Sequence, residues 1–96
     1  MARVPRLTPL FLARRRALGI VRGSPESQAL GATIASLCEA ATLPGVLDVL
    51  TAMPPTRTAL VRRVAGQTLW VWHSVTDAGD VVLLTLTRVP PVPLSP

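Results

Sequence analysis

Few side chains in this sequence could do chemistry: one histidine, one cysteine, five carboxylates and ten basic residues, all of them arginine. A metal centre needs His, Cys, Asp or Glu converging in sets of three or four. Glu26, Glu39, Asp48, Asp77 and Asp80 are spread along the chain, with only His73 and Cys38 to join them, so no metal site is expected. Neither a G-x-x-x-x-G-K nor a G-x-G-x-x-G spacing occurs. Without such a loop to cradle phosphates, neither nucleotide hydrolysis nor a cofactor is expected.

His73 could serve as a general acid or base, because an imidazole titrates near operating pH. It alternates with Leu69, Val71 and Val75 and has no orienting partner nearby in sequence, so a packed histidine is the plainer reading. Cys38 borders an apolar stripe and reads as a small buried hydrophobe. Trp70 and Trp72, two residues apart, share one strand face. They could stack bases or receive a partner's side chains; packing against helices is the simpler role. Arg57 and Arg63 fall on one face of their strand and Arg62 on the other, so the three cannot meet a single ligand. Arg88 closes the last strand, and with Arg62 or Arg63 it either borders a surface able to contact phosphates or forms a solvated rim.

The elements that must position these residues can be read along the chain. Residues 2–7 suit a short first strand, which Pro5 confines to a sheet edge or an irregular stretch. Thr8 as cap and Pro9 in the first turn start a helix that Gly19 ends, with Leu10, Phe11 and Leu18 facing inward. Ser24, Pro25 and Glu26 start a second helix over about 24–42, with Leu30, Ile34, Leu37 and Ala41 on one stripe. The short link makes the two helices an antiparallel hairpin. Residues 46–56 read as one helical turn and then loop. The period then changes to two over 57–64, 68–76 and 80–88. Ala65-Gly66-Gln67 and Asp77-Ala78-Gly79 link these runs as hairpin turns. From Val89 the chain has four prolines in eight residues and should lie extended. The expectation is an α+β protein: an N-terminal helical hairpin packed on a small three- to four-stranded antiparallel sheet, one domain over 1–88 with a Pro-rich tail over 89–96.

Bulk properties agree with one folded domain. At 96 residues there is material for one core, and 49% hydrophobic against 16% charged residues is unlike a disordered chain. A single cysteine permits no intrachain disulfide, which points to a reducing, cytoplasmic setting. Six arginines and no acid in the first 22 residues suggest a mitochondrial presequence, but Pro5 and Pro9 break the amphipathic helix one would need. No apolar run is long enough to span a membrane. Arginine without lysine fits either selection for phosphate and carboxylate forks or the codon bias of a GC-rich genome. The net charge of +5 implies attraction to an acidic protein, nucleic acid or an anionic surface under either explanation.

The segment order of strand, helix, helix and three hairpin-linked strands resembles the RelE/ParE superfamily of bacterial toxins. Local phrases carry the same resemblance: Leu7-Thr8-Pro9-Leu10-Phe11-Leu12, Leu60-Val61-Arg62-Arg63-Val64, Leu69-Trp70-Val71-Trp72-His73-Ser74-Val75 and Asp80-Val81-Val82-Leu83-Leu84. Members resemble one another in being neutralised by an acidic antitoxin; RelE types cut messenger RNA on the ribosome and ParE types poison gyrase. The resemblance implies Arg63, His73 and Arg88 as a catalytic set and Arg57, Arg62, Trp70 and Trp72 as nucleic-acid or partner contacts. The sequence departs from the nuclease pattern: Leu69 or Trp70 stands where an arginine usually opens the middle strand, and there is no tyrosine. A non-catalytic protein-binding module derived from the same fold is the alternative.

Overall fold

The computed structural model describes residues 3–55 and 57–94. Its elements are β1 (Pro5–Leu7), α1 (Pro9–Ala17), α2 (Pro25–Glu39), β2 (Val49–Met53), β3 (Arg57–Arg63), β4 (Trp70–Val75) and β5 (Val81–Thr87). Both helices start as their sequences dictate. The Thr8 and Ser24 side chains accept hydrogen bonds from the Phe11 and Ser27 amides, with proline in each first turn. The turn glycines Gly66 and Gly79 have positive φ, which a residue with a Cβ would adopt only under strain.

The five strands form one mixed sheet in the order β1-β5-β4-β3-β2. Strands β2 to β5 run antiparallel to their neighbours, whereas β1 pairs with β5 in parallel, Pro5 opposite Val81 and Leu7 opposite Leu83. This corrects the expected three- to four-stranded antiparallel sheet. Two things account for it. Residues 49–53, within the 46–56 stretch expected to be one helical turn and then loop, form the edge strand β2. The first strand joins the far edge after two intervening helices, and local turn patterns carry no information about such a long-range pairing. Pro5 does sit on an edge, as its missing N–H requires; Ala2 of the expected strand lies outside the described residues.

The expected helical hairpin is also corrected. Each helix spends its apolar stripe on the sheet. Phe11 of α1 and Leu30, Leu37 and Cys38 of α2 join Val64, Leu69, Val71, Val81, Leu83 and Leu86 in one core. α1 is fastened to β5: the Thr8 hydroxyl is within hydrogen-bonding distance of the carbonyls of Leu83 and Leu84, at 2.8 and 3.1 Å, and Arg14 Nε donates to the Leu86 carbonyl. Between the helices a crevice of about 220 Å³ lies open, lined in part by Leu12, Ser27, Gly31 and Ile34. Leu10, expected to face inward, is 49% exposed, and Ala41 lies beyond the end of α2.

Val71 and His73 of β4 point to the helix side and, through the register, so do Leu60, Arg62 and Leu86; Trp70 and Trp72 lie on the opposite face. The tail leaves β5 on that opposite face, where the Thr87 hydroxyl donates to the Val89 carbonyl. It ends against the outer edge of β2, where Pro93 bridges Thr51 and the Leu94 amide donates to the Leu50 carbonyl. Ser95 and Pro96 lie outside the described residues.

Candidate functional site

Three clusters of polar side chains stand out, and they lie in different places. The first is a buried charge network on the helix side. Asp48 precedes β2 in an apolar stretch, and its side chain is fully buried. Its carboxylate accepts from Arg62 Nε at 2.8 Å, from Arg62 Nη2 at 3.1 Å and from the Gly45 amide at 2.7 Å. Two parallel guanidinium bonds plus a backbone donor satisfy most of the anion's capacity, which is what permits a carboxylate away from water. A Cβ at Gly45 would lie 2.7 Å from Arg62 Nη2, so a larger residue there would push the guanidinium away from its place on Asp48.

His73 completes this network. Its side chain is fully buried, Nδ1 lies 3.3 Å from the Val71 carbonyl, and Nε2 lies 3.7 Å from Asp48 Oδ1, too far for a hydrogen bond. Burial holds the His73 pKa below its ordinary value; the Asp48 charge opposes that shift without overcoming it. A neutral imidazole donating from Nδ1 to Val71 leaves the Nε2 lone pair without a partner. Beside it, a cleft of about 370 Å³ is lined in part by Leu43, Pro44, Leu50, Leu60 and Val75.

The second cluster is on the opposite sheet face. The Arg63 guanidinium stands over the Trp70 ring, 5.8 Å from its centroid, and Arg63 Nε donates to the Gln67 carbonyl. Trp72 Nε1 donates to the Thr87 hydroxyl at 2.9 Å. Both tryptophans are half-buried, and Arg57 on the same strand face is exposed. The third is Arg88, which forks Glu26 at 2.6 and 3.0 Å and donates to the Leu18 carbonyl, tying the end of β5 to both helices. That fork lowers the Glu26 pKa and raises that of Arg88.

The residues read as a catalytic set are therefore not brought together. Arg63 faces one side of the sheet, His73 is buried on the other, and Arg88 is held by Glu26 at the end of β5. Of the binding residues, Arg57, Trp70 and Trp72 share the face of Arg63, while Arg62 is spent on Asp48. Sequence reasoning missed Asp48 as the partner of His73. One signal could have found it: Asp48 is the only carboxylate between Glu39 and Asp77, and it stands alone among Val46, Leu47, Val49 and Leu50. Among the described residues no group of three potential metal ligands occurs, and no helix is long and apolar enough to cross a membrane. Compared with known proteins, the chain matches no family model, no curated protein and no solved structure.

Proposed function

We propose that this chain is the toxin component of a type II toxin–antitoxin pair, neutralised by an acidic antitoxin and acting by binding a target, as ParE types do on gyrase. The order strand, helix, helix and hairpin-linked strands, to which the structure adds β2, and the local phrases support the toxin reading. What favours binding over RNA cleavage is the separation of Arg63, His73 and Arg88. Cutting a phosphodiester needs a base, an acid and a cation around one phosphate. Here the imidazole is buried in the Asp48 network and the Arg88 fork is occupied by Glu26. The arginines also divide in a telling way. Arg6, Arg62 and Arg88 pair with Asp80, Asp48 and Glu26, and the remaining arginines have no carboxylate partner among the described residues.

The test is to induce the chain in a bacterial host while following growth, DNA supercoiling and messenger RNA 5′ ends. Arrest with altered supercoiling and no new cleavage sites is the expected result. Arrest with ribosome-dependent cuts would overturn the binding mechanism, and normal growth would overturn the toxin reading. Normal growth would favour the other function, a non-catalytic binding module using the Arg63–Trp70 and Trp72 face, where a stacked cation and two half-buried indoles offer a ready contact surface.

A further inference from the structure

Taking the reading above that the partner is acidic, we infer that the partner docks on the outer face of the helices as an amphipathic segment, its apolar side chains in the α1–α2 crevice and its carboxylates on Arg15, Arg16 and Arg22. Two adjoining hollows carry this. The apolar crevice between the helices is lined by Leu7, Phe11, Leu12, Leu30 and Ile34 with Arg15 at its edge. A wider hollow of about 590 Å³ continues from it, sharing Leu12 and Arg15 and adding Arg16, Ile20 and Arg22. No acid lines either one.

Leu7 and Leu12 are about half exposed, which is costly for large apolar side chains on one continuous patch unless something covers them. Arg15 spans both hollows. Its Nη2 donates to the Ser27 hydroxyl at 3.3 Å, which holds the side chain along the wall, and its Nε is buried without a hydrogen-bond partner among the described residues. The nearest acid in sequence, Glu26, is committed to Arg88. Arg15, Arg16 and Arg22 have no carboxylate partner among the described residues, so a partner's carboxylates would pair with their guanidinium ends, and an adjacent leucine or isoleucine would fill the crevice. Nucleic acid fits this surface less well, because half of it is apolar and no aromatic ring other than the buried Phe11 lines it.

The probe is a synthetic amphipathic peptide with Leu or Ile at helical spacing and Glu on its flanks, titrated into the full chain by calorimetry and by amide and indole NMR. Saturable binding is expected, weakened by salt, with shifts confined to residues 7–22 and 27–34. The combined variant Arg15→Gln, Arg16→Gln, Arg22→Gln should weaken it about tenfold or more, each lost charge-assisted bond being large on that scale. Leu12→Ser should weaken it independently of salt. These positions are exposed or half-exposed, so an unchanged amide spectrum away from α1 and the 18–24 link will certify the fold. Binding that shifts the Trp70 and Trp72 indoles instead would overturn this surface while leaving an acidic partner in place. No saturable binding, in a chain that nevertheless arrests growth, would overturn the surface without touching the toxin reading. Equal displacement by single-stranded RNA would overturn the peptide specificity.

Discussion

Asp48 illustrates how much one buried carboxylate can organise. It accepts from a loop amide and two guanidinium nitrogens and faces an imidazole. Asp48→Ala leaves Arg62, whose side chain is only 11% exposed, as an uncompensated buried cation. We expect a loss of about 3–5 kcal/mol, measured as a fall in the denaturant midpoint. The double variant Asp48→Ala, Arg62→Met should recover most of it, because removing both charges removes the desolvation cost with them. His73 gives a pH dependence of definite sign. Its pKa is lower folded than unfolded, so below its ordinary value near 6.5 the unfolded chain binds the extra proton more readily. Stability contributed by neutral His73 is therefore full above that pH and is lost as pH falls through it. His73→Gln should flatten the stability profile between about pH 5 and 7 in thermal melts.

At the scale of elements, Thr8 has two duties. It caps α1 through its side-chain oxygen, and its hydroxyl meets the Leu83 and Leu84 carbonyls beside the register shift between β4 and β5. Thr8→Val keeps the shape and removes both, and should cost about 1–2 kcal/mol in equilibrium unfolding. Thr8, Pro9, Ser24 and Pro25 were legible in sequence because capping is local. So were β3, β4 and β5, whose apolar alternation and glycine turns specify neighbouring antiparallel strands. β2 was not. Its five residues have no clean alternation, Asp48 on one side and Pro54-Pro55 on the other look like loop, and its stability comes from pairing with β3. The helical hairpin failed for a related reason: a short link makes two helices neighbours but does not decide whether their apolar stripes meet each other or a sheet. The site was legible only in part. Residue types marked His73 and Arg62, but their meeting at Asp48 is a tertiary fact.

For the molecule as a whole, the sheet's two edges are treated differently. β1 ends the sheet beside β5 with an exposed strand of three residues, too short to recruit much. β2 is longer, and the tail lies against it although its prolines leave few amides to donate. Ending the chain after Val89 should uncover this edge and promote concentration-dependent association, visible by light scattering; an unchanged monomer would show that the tail does not guard it.

The placement of Asp48 immediately before β2 also sets the order in which this protein would come apart. β2 is held by β3 on one side and by only a short stretch of tail on the other, so its release is a low-cost partial opening of this side of the sheet. That opening would pull Asp48 away from Arg62 and admit water to His73, removing the burial that holds its pKa down. Fraying of the edge and protonation of the imidazole would thus be one event, so amides of Val49–Met53 should lose protection from exchange on acidification before those of β4 and β5 do.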